Sequence, residues 1–179
     1  MTGLAEAHAP AQHGFTLVEL VLTVTILSLI IGVLTDTLIL GLRTTGDTQT
    51  RIAQADAQQF IAHFVSKDVV ASAAATPGGS ACGVANAALV TTEQSAPTIA
   101  APDLAVAYSV DSNGLSRSTC AAGATSAATV SIISDEVTAF TATCVGPGAC
   151  GTVHLAVQTA AGVNVPSYGF TLDVTRRQQ

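Results

Sequence analysis

Charge is scarce in this chain. Lys, Arg, Asp and Glu make up 10% of its 179 residues, where a soluble domain carries about a quarter. Aromatic residues are 4%, with no Trp, so the 49% apolar content is largely small and aliphatic and predicts a modest core. Six cations stand against 12 acids, a net charge of −6, which leaves no broad electrostatic attraction for nucleic acid. There is no G-x-S-x-G, no phosphate-binding loop and no C-x-x-C. His63 and His154, the histidines beyond the first 13 residues, show no ligand spacing. Asp135 and Glu136 are adjacent, and neighbours on a strand edge point apart, so they suit a turn better than a catalytic pair. These absences predict no reaction, no metal and no cofactor.

Proline is missing from Phe15 to Ala75, and the pattern there predicts one long helix in two halves. From Phe15 to Leu42 it is apolar nearly all round, its only charges being Glu19 and Asp36. About 20 such residues suffice to cross a bilayer. Gly32, Gly41 and Gly46 each weaken the helix by about 1 kcal/mol relative to alanine, which fits either local melting or close helix packing. From Thr48 to Ser72 the pattern turns amphipathic: Ala53, Ala57, Phe60, Ile61, Phe64, Val65 and Val69 recur at three- and four-residue spacings. Phe60 and Phe64 are expected in the core and His63 in solvent.

Thr76-Pro77-Gly78-Gly79-Ser80 is expected to end the helix. Seven strands are then predicted: Ala88–Thr92, Leu104–Val110, Leu115–Thr119, Ala128–Ser134, Val137–Cys144, Thr152–Thr159 and Tyr168–Thr175. Asp111-Ser112-Asn113-Gly114 between two of them is a hairpin signal. Val153, Leu155 and Val157 alternate with polar or small residues, so the sheet has one buried face, with His154 outward. Ala71–Ala88 and Ala121–Ala128 read as loops. The fold class is α+β, a long N-terminal helix packed through its second half on an antiparallel sheet.

Four cysteines, Cys82, Cys120, Cys144 and Cys150, all follow the apolar run and suit two disulfides in an exported domain. Gly146-Pro147-Gly148 can reverse the chain between Cys144 and Cys150, which favours that pair and leaves Cys82 with Cys120. Three connectivities remain open at this point.

The apolar run opens with Gly14-Phe15-Thr16-Leu17-Val18-Glu19. A secretory signal is cut after its apolar core and holds no acid inside it; here a glycine precedes the core and a glutamate lies within. The motif resembles the cleavage and methylation site of type IV pilins and of the pseudopilins of type II secretion and competence systems. The resemblance implies cleavage between Gly14 and Phe15 by a prepilin peptidase, N-methylation of Phe15, and a register role for Glu19 against the Phe15 amine of a neighbouring subunit. A carboxylate in hydrocarbon is costly enough to call for such a partner, although snorkelling at the interface is the plainer alternative. The implied partners are the peptidase, other pilin or pseudopilin subunits, an assembly platform protein with its ATPase, and membrane lipid. The implied location is the cell membrane, single-pass with the N-terminus cytoplasmic, and then a pilus or pseudopilus at the cell surface. Residues 1–14 form the leader in this reading, 15–42 the membrane and assembly half of the helix, 43–75 its amphipathic half, and 76–179 a β-rich head.

Two features bear on how far the resemblance reaches. Met1 to Gly14 holds no Lys or Arg, whereas leaders of the family are usually basic. Phe64 to Asp68, Ala107 to Val110 and Thr175-Arg176-Arg177 look most like the J-type minor pseudopilins and related minor pilins. The alternative function is a filament-tip module that contacts DNA or a surface ligand, for which Arg117, Arg176 and Arg177 would be the cations. A membrane-anchored protein that never polymerises is a third reading. For Arg176-Arg177-Gln178-Gln179 the alternatives are a solvated tail and contact with membrane, a neighbour or DNA.

Overall fold

The computed structural model describes residues 16–93, 103–146 and 150–177. Helix α1 runs from Leu17 to Ala71. The chain divides into two compact units, one through Thr45 and one from Gly46 onward.

The described part of the first unit is helix from Leu17 onward. Its hydroxyl side chains bond back to the helix's own carbonyls: Thr25 Oγ1 donates to Leu22 O at 2.8 Å, Ser28 Oγ to Thr25 O at 2.8 Å, and Thr35 Oγ1 to Ile31 O at 2.8 Å. In hydrocarbon a polar group must find its partner within the protein, and this back-bonding supplies one without a neighbour.

Among the described residues of the second unit eight strands follow the helix: β1 (Ser72–Pro77), β2 (Leu89–Glu93), β3 (Leu104–Asp111), β4 (Gly114–Ala121), β5 (Thr129–Ser134), β6 (Val137–Val145), β7 (Thr152–Thr159) and β8 (Gly169–Thr175). The first five form one sheet in chain order and the last three another, with every pairing antiparallel. One core joins them. Ile61, Val65 and Val69 of the helix meet Leu89, Val106, Tyr108 and Leu115 of the larger sheet and Phe140, Val153, Leu155 and Val157 of the smaller. Each such side chain contributes about 1.5–3 kcal/mol by leaving water. The α+β architecture and all seven strands read from the sequence are present, as is the alternation along β7.

Two expectations need correction. The helix ends at Ala71, and Ser72–Pro77, read as helix end and loop, is strand β1, with Ala75 paired to Thr91 and Pro77 to Leu89. An alanine-rich run has little strand preference of its own, so pairing with β2 sets its conformation. Phe60 is 51% exposed and Phe64 only half-buried; the buried stripe is Gln54, Ala57, Ile61, Val65, Asp68 and Val69. Two polar anchors turn the helix that way. Gln54 Nε2 donates to the carbonyls of Ala160 and Pro166 at 2.9 and 3.2 Å, and Asp68 faces β3 and β4. With these two inside, Phe60 lies off the buried face.

The β3–β4 hairpin shows its chemistry directly. Asn113 N–H donates to Asp111 Oδ1 at 2.7 Å, and Gly114 has φ +96°. A Cβ on Gly114 would stand 2.2 Å from the Ser134 carbonyl oxygen, so the position needs glycine for space as well as for backbone conformation.

Candidate functional site

Gly14 and Phe15, expected to flank the cleaved bond, lie outside the described residues. The helix that follows them starts at once. Thr16 caps it: its carbonyl accepts from Leu20 N–H at 3.1 Å, and its Oγ1 accepts from Glu19 N–H at 3.3 Å. Thr16-Leu17-Val18-Glu19 is a capping-box spacing, a start signal legible in the sequence that the motif reading passed over. Glu19 is thereby fixed in the first turn, where the helix dipole favours negative charge by about 0.3–1 kcal/mol. Among the described residues its carboxylate has no ion-pair partner. The Thr23 hydroxyl bonds to the backbone carbonyls of Glu19 and Leu20 at 2.8 and 2.9 Å, not to the Glu19 carboxylate.

From Leu17 to Leu42 the large apolar side chains are exposed all round. The segment is long and apolar enough to cross a membrane. Its chemistry is that of a hydrophobic rod with one acid at its head.

Residues 10–35 match the family model described as the prokaryotic N-terminal methylation motif. The chain carries the N-terminal methylation motif of type IV pilins and pseudopilins. No curated protein and no solved structure matches the chain. The matched residues run into a helix that is long and apolar enough to cross a membrane.

Elsewhere several titratable groups are engaged in structure. Asp68, 2% exposed, accepts from Tyr108 Oη at 2.5 Å and from Arg117 Nε and a terminal guanidinium nitrogen at 2.7 and 3.1 Å. Burial, and then the Asp68 carboxylate, push the Tyr108 hydroxyl far above its ordinary value. The hydrogen bond to Asp68 raises the Arg117 guanidinium against the opposing effect of burial. Arg117 is therefore committed to the helix–sheet joint. Sequence reading missed this joint, because nothing in the spacing of Asp68, Tyr108 and Arg117 announces that they meet.

Arg176 is no solvated tail: its N–H donates to Gly151 O at 2.8 Å and its guanidinium to Ala73 O. Arg177 N–H reaches Val70 O at 3.4 Å, and Gln178 and Gln179 lie outside the described residues. His154 Nδ1 and Asp173 Oδ1 are 2.5 Å apart on the open face of the smaller sheet, while His63 is exposed and edge-on to Phe64. Asp135 and Glu136 form the turn between β5 and β6. Disulfides join Cys82 to Cys120 and Cys144 to Cys150, the connectivity favoured from the spacing, with Cα separations of 5.3 and 5.2 Å. Pro147, Gly148 and Ala149 of the reversal between the last two lie outside the described residues.

Proposed function

We propose that the protein is a structural subunit, a minor pilin or pseudopilin, of a type IV pilus, type II secretion or DNA-uptake filament. The observation that carries the reading is the capped apolar helix with Glu19 in its first turn, directly behind the Gly14-Phe15 junction. A prepilin peptidase cuts after Gly14 and methylates Phe15. The helix, released from its leader, leaves the membrane for a filament in which Glu19 meets the Phe15 amine of the next subunit. Burying both charges together removes the cost that either bears alone in an apolar bundle.

In this account the assembly platform and its ATPase supply the work, and lipid holds the subunit beforehand, with the N-terminus cytoplasmic and the head outside. The two disulfides suit an exported domain. The J-type placement belongs to the same proposal and rests on the three short likenesses given above. The subunit catalyses nothing. No observation favours the DNA-binding alternative: Arg117 is paired with Asp68, and Arg176 is docked on β1.

Glu19→Val tests the register role. Cleavage and methylation should continue while recovery of the subunit in sheared filaments falls at least about tenfold, the loss expected from removing one partner of a buried pair. Normal recovery of the variant in filaments would remove Glu19 from the mechanism.

A further inference from the structure

The edges of the larger sheet differ in how they are finished. Beside β1, the Arg176 guanidinium occupies the Ala73 carbonyl, and Arg177 is tied to Val70. At the other end lies β5, Thr129-Val130-Ser131-Ile132-Ile133-Ser134, which pairs with β4 on one side only among the described residues. Its first four residues are exposed, on both faces of the strand. Val130 and Ile132 are 61% and 60% exposed and share a face, beside the buried Ser118 and Ser116 of β4.

Sheets usually blunt such an edge with charge, proline or a bulge. β5 has neither charge nor proline, and the register shift opposite Leu115 and Ser116 falls at Ile133, leaving Thr129–Ile132 regular. An unpaired edge presents alternating N–H and C=O groups, and another strand satisfies them in register. The sequence of β5 also indicates whose strand fits. Val130-Ser131-Ile132 reads apolar-polar-apolar in both directions. Antiparallel pairing about Ser131 therefore sets Val130 of one copy opposite Ile132 of the other, twice, on one face, with the two Ser131 residues opposed. A lysine or glutamate on this strand would repel its own copy, and there is none.

We propose that β5 is a self-recognition edge, through which two copies of this chain join their larger sheets across a two-fold axis. Such a contact uses the same patch on both partners and closes on itself. Filament stacking is head-to-tail, so the dimer belongs to the membrane-resident subunit, and this inference stands or falls apart from the filament reading.

The test uses the full-length chain in detergent micelles. Ser131→Cys under mild oxidation should give a disulfide-linked dimer, whereas Gln158→Cys, an exposed position on β7, should not. Ile132→Lys should weaken association by at least about tenfold, since each introduced charge would be set against the apolar Val130 of the other copy, with the two lysines diagonal neighbours across the joint. The proposal is overturned by Ser131→Cys crosslinking no more than the Gln158→Cys control. It is equally overturned by a dimer that Ile132→Lys leaves intact, which would place the contact in the apolar helix, or by Ser131→Cys capturing a different protein in native membranes in preference to its own copy.

Discussion

Asp68 is a carboxylate almost wholly removed from water, and it is tolerated because three donor contacts converge on it, one from Tyr108 and two from Arg117. A buried charge is expensive alone and acceptable when fully bonded. Asp68→Ala leaves the Tyr108 hydroxyl and the Arg117 guanidinium without their acceptor. The variant should lose about 3 kcal/mol of stability by denaturant titration. Glu93 sits close by. Burial first, and then the Asp68 charge, raise its carboxyl above the ordinary value of 4.5. Between 4.5 and that raised value the folded chain holds a proton the unfolded chain has released, so stability is highest below this window and falls as pH rises through it. Glu93→Gln should abolish this contribution. The Tm of the variant minus that of the parent, followed from about pH 4 to about pH 8, should grow more positive with pH. A flat difference would mean that Glu93 is not held in the environment described.

At the level of elements, the hairpin between β3 and β4 turns on one residue. With φ +96° and the Ser134 carbonyl 2.2 Å from where a side chain would begin, Gly114→Ala should cost about 2 kcal/mol, read as a lowered denaturation midpoint. This turn was legible beforehand, because Asp, Asn and Gly each have a local reason to be there. The alternation of Val153, Leu155 and Val157 was legible for the same reason: it is written in consecutive residues. β1 was not, since Ser72–Pro77 becomes a strand only through pairing with β2. The inward face of α1 was legible in part: Ala57, Ile61, Val65 and Val69 were read from their spacing and are buried, while Phe60, Phe64, Gln54 and Asp68 were misplaced or missed. Hydrophobicity pointed to Phe60 and Phe64, but Gln54 and Asp68 find their acceptors and donors on residues 40 to 112 positions away, and no local pattern encodes those meetings. The methylation motif was the most legible part of the chain, because its parts lie within six consecutive residues. The Thr16 cap was equally local and was obscured by the motif that contains it.

For the molecule as a whole, one unit closes a core of its own and the described part of the other does not. From Gly46 onward the chain closes a core around Ile61, Val65 and Val69 and staples it with two disulfides. Before that, among the described residues, the large apolar side chains from Leu17 to Leu42 are exposed, a surface that lipid or other helices would cover favourably. In the proposed function both covers are met in turn, membrane first and neighbouring subunits afterwards. The account stands on the chain being cut at Gly14, because only the cut creates an amine for Glu19 to meet. The intact mass of the protein recovered from sheared filaments tests this directly. Loss of residues 1–14 with one added methyl group is the predicted result, and a filament subunit that keeps those residues would contradict it.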